Sequence, residues 1–173
     1  MKLTSEILTV RLSQPFGISR GVKTAAEVLR VRITDGENTG LGEAVPYARY
    51  QDSCEIALSQ ITTLPREFTR ANLMNLLPAG SARNAVDAAL IDLQSNRTGV
   101  AAWELLGLPE PKPVSMCFTI SLQKTDAMIA EASANSHLPL LKIKLGGSDD
   151  KRVILGIAKA APSAKLIVDV NEG

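Results

Sequence analysis

The polar residues with the clearest chemical spacing lie in two apolar segments that are about one strand–helix unit apart. Lys142 and Lys144 alternate with apolar residues in segment 140–145, and Asp169 and Asn171 alternate with apolar residues in segment 166–173. Side chains alternate across a strand, so each pair shares one face of its strand. Neighbouring ammonium groups repel each other, which favours the neutral amine that a general base requires. The pattern predicts two amines and a carboxylate at the ends of neighbouring strands.

The same residues also have a plainer interpretation. Lys142 and Lys144 would lie in water if their strand were at the edge of a sheet, and Asp169 or Asn171 could cap a turn or a helix. Against this, an aspartate at the carboxyl end of a barrel strand lies on the face where such barrels place catalysis, and it suits Mg²⁺. Spacing alone leaves both interpretations open, although the combination of the two strands is more specific than either strand.

The elements that position these residues change character at Pro109, Pro111 and Pro113. Alternating prolines exclude a helix or a central strand, so this segment is predicted to connect two domains. Before it, the periodicity predicts strands over 2–12, 27–34 and 39–44, with a hairpin turn at 35–36 and a mobile loop over 14–21. Four helices are predicted next, over 52–64, 69–77, 82–94 and 100–106, the first opened by a capping box of Asp52 and Glu55.

After the prolines, strands and helices alternate. Strands are predicted over 114–120, 140–145 and 165–170, and helices over 125–136 and 149–161. This order indicates parallel strands joined by right-handed crossovers, as in a (β/α) barrel or an open doubly wound sheet. Three strands cannot close a barrel.

Composition excludes several functional classes. The 173 residues carry a net charge of +1 and only 3% aromatic residues, so no nucleic-acid partner is expected. No apolar run approaches the ~20 residues of a membrane span, and the N-terminus has no apolar core of a secretion signal. We therefore expect a cytoplasmic protein with no membrane partner.

Three further stretches join the two lysines and the aspartate in a recognisable set. They are Pro15–Gly21, Gly42–Tyr50 and Pro78–Leu93, and with Lys-x-Lys and Asp-x-Asn they span most of the chain. In these motifs the chain resembles the N-terminal half of enzymes of the enolase superfamily, in the muconate-lactonizing subgroup. Within that subgroup it is most similar to the dipeptide epimerases that interconvert L-Ala-L-Glu and L-Ala-D-Glu.

The resemblance implies an α+β cap domain, residues 1–112, followed by the first three strands and two helices of a (β/α) TIM-like barrel, residues 113–173. It implies that Lys144 is one of two opposed bases, with Lys142 behind it, favouring its neutral form and approaching the substrate carboxylate. It also implies that Asp169 is the first of three carboxylates on Mg²⁺, with Asn171 beside the metal ligands. A lysine base with Mg²⁺ is the general pattern of this superfamily.

The substrate contacts implied by the resemblance come from both predicted domains. Arg20 would meet the glutamate side-chain carboxylate of a dipeptide, and Thr119 would line the pocket. Tyr47, Arg49 and Tyr50 would belong to a loop that closes on the substrate.

The resemblance therefore implies a Mg²⁺-assisted 1,1-proton transfer on a small dipeptide, in the recycling of cell-wall peptides, by an enzyme that could form a homo-oligomer. The second base and two metal ligands of the family would follow Gly173, so the chain is expected to be truncated and inactive alone. Two alternatives stay open. One is an o-succinylbenzoate synthase or another enzyme of the subgroup, and the other is a non-catalytic, self-associating fragment.

Overall fold

The computed structural model describes residues 1–18, 21–146 and 148–170. The chain forms two compact units, of which the first comprises Met1–Arg11 and Ala25–Pro111 and the second comprises Leu12–Thr24 and Lys112–Gly173. The domain limits expected from the sequence, 1–112 and 113–173, stay a prediction. None of the helices in the described ranges is long and apolar enough to cross a membrane.

A three-stranded sheet with the order β1-β2-β3 opens the chain, with β1 at Lys2–Ile18, β2 at Gly21–Asp35 and β3 at Asn38–Ala44. β2 and β3 are antiparallel, and the predicted hairpin turn is confirmed by the positive φ of Gly36, 63°. Leu29, Val31 and Ile33 are buried on one face of β2, as the alternating pattern predicts.

Strands β1 and β2 are longer than the sequence pattern indicates. β1 continues through Ile18 and β2 begins at Gly21, so the loop predicted over 14–21 is wrong for the described residues of that range. Val10 and Leu12 in β1 and Val22 in β2 are 38–67% exposed. An extended ribbon with no deeply buried face has little apolar alternation, and its strands are therefore hard to recognise from periodicity.

Four helices complete the first unit, after a short 3₁₀ turn at Ala48–Tyr50. They are α1 (Cys54–Thr62), α2 (Arg70–Leu76), α3 (Ser81–Thr98) and α4 (Ala102–Leu105). The predicted capping role of Asp52 is wrong for α1, because the Ser53 side chain accepts from the Ile56 backbone N–H, 3.2 Å. Asp52 instead accepts from the Ser81 N–H at the start of α3, 3.2 Å.

Helix α3 lies along β3 at very short range. A Cβ atom at Gly40 or Gly42 would overlap the carbonyl oxygen of Ala89 or Ala85. The Leu41 N–H of β3 donates to Asp92 of α3, 2.7 Å. Because β3 is the last strand of its sheet, this helix covers an edge that would otherwise present open backbone groups.

The second unit holds a parallel sheet with the order β4-β5-β6. Its elements are β4 (Phe118–Ile120), α5 (Thr125–Ala134), β5 (Leu140–Lys144), α6 (Asp150–Ala160) and β6 (Lys165–Asp169). β4 is shorter than the predicted strand 114–120. One face of the sheet is buried against α5 and α6, through Ile120, Leu141 and Ile143 of the strands and Met128, Ala132, Val153 and Ile157 of the helices.

Candidate active site

Strand β5 carries both lysines and lies in the middle of its sheet, between β4 and β6. The interpretation of this strand as a sheet edge is therefore wrong. Thr119 is paired in register with Lys142, and Lys144 is paired with Asp169. Residues in register share a face, and alternation places these four side chains on the face opposite the buried core.

Two ammonium groups converge on one carboxylate oxygen. Asp169 Oδ2 lies 2.6 Å from Lys144 Nζ and 2.9 Å from Lys142 Nζ. The side chain of Lys144 is 12% exposed, that of Asp169 25% and that of Lys142 35%. Charge-assisted hydrogen bonds of this length are strong, and together they fix three side chains at the carboxyl ends of β5 and β6. Two lysines thus face one carboxylate where a barrel strand would present catalytic residues.

Phe16 is a neighbour of this cluster that the sequence reasoning did not assign to the site. Its ring centroid lies 6.0 Å from Lys144 Nζ, within the range of a cation–π contact. The adjacent Gly17 carbonyl accepts from the Leu122 N–H, 3.2 Å. Phe16 belongs to the Pro15–Gly21 motif. An aromatic residue followed by glycine does not by itself indicate which distant side chain the aromatic ring will contact.

The described residues do not form a magnesium site by themselves. Mg²⁺ requires several oxygen ligands in octahedral geometry. Within residues 1–18, 21–146 and 148–170, no group of three or more His, Cys, Asp or Glu side chains could hold a metal ion. Asp169 has the right chemistry for one ligand, but its Oδ2 accepts from two ammonium groups.

The other predicted site residues are spread over the chain. Arg20 and Asn171 lie outside the described residues. Tyr47, Arg49 and Tyr50 belong to the first unit, at the 3₁₀ turn, where the two tyrosine rings are 5.9 Å apart and Tyr50 is 78% exposed. The structure thus brings together Lys142, Lys144 and Asp169, with Thr119 beside Lys142, and leaves the roles of the other residues as predictions.

Comparison with known families gives an independent view of the first unit and its sheet. Residues 2–107 match the family model of the mandelate racemase / muconate lactonizing enzyme N-terminal domain. Among curated proteins, the chain is 36% identical to the L-Ala-D/L-Glu epimerase of Escherichia coli, over 93% of this chain and 52% of that protein. It is 40% identical to an N-acetyl-D-glutamate racemase of a Pseudoalteromonas species, over 82% of this chain and 47% of that protein.

Solved structures agree with this assignment. An enolase family member from Agrobacterium tumefaciens with homology to dipeptide epimerases, bound to sodium and L-Ala-L-Glu, has a TM-score of 0.89 and 40% identity over 99% of this chain and 54% of its own. A dipeptide epimerase from Cytophaga hutchinsonii, complexed with Mg and D-Ala-L-Val, has a TM-score of 0.82 and 26% identity over 100% of this chain and 53% of its own.

The relatives confirm the fold class that the sequence indicated, an α+β cap followed by the first strands of a barrel. They are racemases and epimerases, and this chain spans about half the length of the curated relatives it matches. The family model covers residues 2–107, which is more than half of the 173 residues. The chain belongs to the mandelate racemase / muconate lactonizing enzyme family of the enolase superfamily.

Proposed function

We propose that this chain contributes one half of the active site of an epimerase that moves the α-proton of a glutamate residue whose nitrogen is acylated. The observation that carries the proposal is the meeting of Lys144, Lys142 and Asp169 on the open face of the β4-β5-β6 sheet. The remaining strands of the barrel would supply the opposite wall, as the length of the relatives supports.

Lys144 is assigned as the base for one face of the α-carbon. A proton beside a carboxylate is very weakly acidic, so its removal requires a positioned base and positive charge near the developing anion. Lys144 is the less exposed of the two lysines, and it takes the proton on its Nζ atom once it is neutral. Lys142 approaches the substrate carboxylate. Inversion requires a second base on the other face, which we expect outside the described residues.

Mg²⁺ is proposed as the cofactor, with Asp169 as one of its ligands. The Mg complex of the Cytophaga relative supports this choice, and the other ligands would come from outside the described residues. Asn171 would lie beside them, at the end of the same segment as Asp169.

The proposed substrate class follows from what two relatives share. L-Ala-D/L-Glu and N-acetyl-D-glutamate both contain a glutamate with an acylated nitrogen and two carboxylates. Arg20 is proposed to bind the side-chain carboxylate, and Thr119, Tyr47, Arg49 and Tyr50 are proposed to line the pocket. If the substrate is the dipeptide, the enzyme would act in the recycling of cell-wall peptides in the cytoplasm. If the substrate is N-acetylglutamate, its metabolic role would be a different one.

Exchange of the α-proton in D₂O tests the function directly, with the protein as encoded in full and with the 173-residue chain alone. We expect Mg²⁺-dependent exchange and epimerisation of L-Ala-L-Glu or N-acetyl-L-glutamate by the former, and no activity of the latter. The Arg20→Ala variant should raise KM for both substrates, and for a dipeptide that lacks the acidic side chain it should leave KM unchanged. Formation of o-succinylbenzoate without any exchange on the glutamate compounds would overturn the proposal in favour of the synthase alternative.

A second candidate, self-association, is favoured by the outer strand of the same sheet. Ile167 and Val168 of β6 are each 43% exposed, and Val170 is 53% exposed. β6 is a terminal strand of the described sheet, and an apolar edge is prone to pair with another chain. Sedimentation of the 173-residue chain tests this. A concentration-dependent dimer that Val168→Lys abolishes would support self-association, and a compact monomer would exclude it.

A further inference from the structure

We propose that Phe16 is a positioning residue for Lys144, and that the docking of Gly17 on Leu122 holds its aromatic ring in place. The consequence for catalysis rests on the proposed role of Lys144 as a base, whereas the positioning itself does not. All four residues belong to the second compact unit. Phe16 would act on the reaction only through the direction and the solvent contact of the Lys144 amine.

The two lysines differ in their surroundings although they share a carboxylate. Both Nζ atoms contact Asp169 Oδ2, yet the side chain of Lys144 is 12% exposed and that of Lys142 is 35% exposed. The Phe16 ring lies over Lys144 Nζ, 6.0 Å from centroid to nitrogen. An aromatic face attracts an ammonium group and excludes water from the side it covers. Lys144 is therefore held from two directions, by a carboxylate and by a ring.

Gly17 determines how closely the Phe16 ring approaches the β4-β5-β6 sheet. The Gly17 carbonyl accepts from the Leu122 N–H, 3.2 Å, two residues after the end of β4. A Cβ atom at position 17 would overlap the Leu122 carbonyl oxygen. Any larger residue would therefore push the end of β1 away from the sheet and move Phe16 with it. The hydrogen bond and the missing side chain together fix the distance between the ring and the amine.

The functional consequence concerns a flexible side chain. A lysine stem has four carbons and loses considerable rotamer freedom when it is fixed. A base that must reach a carbon-bound proton gains from a single direction of approach, because misplacement by about 1 Å can cost about 100-fold in rate. Phe16 would reduce the number of directions in which Lys144 Nζ can point.

The positioning is tested without any assay of activity. In the 173-residue chain with ¹³C-labelled lysine, the ring current of Phe16 should shift the ε-methylene protons of Lys144 upfield relative to those of Lys142. Phe16→Leu and Gly17→Ala should remove this difference, and Phe16→Tyr should preserve it. Backbone NMR spectra of each variant establish that it is folded. Unchanged Lys144 signals in folded Phe16→Leu would overturn the proposal.

The catalytic consequence is tested in the protein as encoded in full. Phe16→Leu should lower kcat about tenfold and leave KM within about twofold of the value for the original protein. The separate variant Phe16→Tyr should have a kcat close to that of the original protein. Exchange that starts from the epimer whose proton faces Lys144 should slow more than exchange that starts from the other epimer. Equal slowing of both would overturn the assignment to Lys144. If the original protein shows no exchange at all, the proposed function fails, and the NMR result alone decides the positioning.

Discussion

Two groups of charged side chains, one in each compact unit, differ in what they contact. In the first unit these side chains bind neighbouring elements to each other. Asp92 accepts from the Leu41 backbone, and Arg70 pairs with Asp87 at 2.6 Å. In the second unit, Lys142 and Lys144 converge on Asp169 on a sheet face that the helices do not cover. The first group joins separate elements in pairs, whereas the second gathers three charged side chains at the carboxyl ends of two neighbouring strands.

This difference indicates which charged residues are candidates for a functional site. The contacts of Asp92 and Arg70 have a structural role. Asp92 accepts a hydrogen bond from an edge strand, and Arg70 joins two helices. Lys142 and Lys144 also join two elements, because both bind Asp169 of the neighbouring strand, but two like charges on one strand repel each other. A cluster that brings two like charges onto one carboxylate at the carboxyl ends of parallel strands is the part of the molecule where chemistry is expected.

Replacement of Lys144 is expected to have the largest effect on catalysis. In the protein as encoded in full, Lys144→Ala should reduce α-proton exchange about 10³-fold, because a positioned general base contributes on this scale. The matched control is Lys159→Ala, which removes an exposed lysine of α6 in the same unit. An equal loss in both variants would mean that the cluster on the open face is not the site of chemistry.

Adding a methyl group at Gly42 is expected to have the largest effect on stability. Gly42→Ala should lower the free energy of unfolding by about 2–3 kcal/mol, because its Cβ would overlap the Ala85 carbonyl of α3. Gly36→Ala is the control, since its Cβ meets open space and only the positive φ of 63° opposes it, at about 1 kcal/mol. Urea unfolding measures both, and equal losses would contradict the close packing of α3 on β3.

Removal of the Asp92 carboxylate tests the structural role of charge in the first unit. Asp92→Ala should lower the free energy of unfolding by about 1 kcal/mol, because the Leu41 N–H of the edge strand loses its acceptor. Gln94→Ala on the exposed side of the same helix is the control. The same urea experiment measures this change. If Asp92→Ala leaves the free energy of unfolding unchanged, the Asp92 carboxylate does not stabilise the fold.

The smallest expected effect concerns a carboxylate of α5 in the second unit. Burial raises the pKa of Glu131 above its ordinary value, and the hydrogen bond from Gln123, 2.6 Å, opposes that rise. The folded state thus binds the proton more tightly than the unfolded state, so its contribution to stability is full at low pH and is lost as pH rises through the folded pKa.

Glu131→Gln should therefore flatten the dependence of stability on pH from about pH 4 upward, the ordinary range of a glutamate. Thermal unfolding across pH 3–7 measures the slope. Glu110→Gln, on the exposed segment between the helices and β4, is the control. A slope that is steeper in Glu131→Gln than in the original chain would contradict the sign of the pKa shift.

Much of the fold could be predicted because it depends on interactions between residues that are close in the sequence. The alternation in Leu29, Val31 and Ile33, the turn at Gly36 and the strand–helix order after Pro113 each depend on neighbouring residues alone. The lengths of β1 and β2 could not be predicted from the sequence, since strand segments with exposed faces show no alternation of apolar residues. The capping partner of Asp52 was also missed, because it lies 29 residues away at the start of α3.

For the candidate site, the sequence by itself determined the residue types and the shared face of Lys142 and Lys144, because alternation along one strand is a local property. The register that pairs Lys144 with Asp169, and the central position of β5, were decided only by the tertiary structure. The approach of Phe16 to Lys144 was decided there as well, since it depends on Gly17 meeting Leu122 across more than 100 residues of chain. Contacts between distant segments follow from packing, which no short stretch of sequence contains.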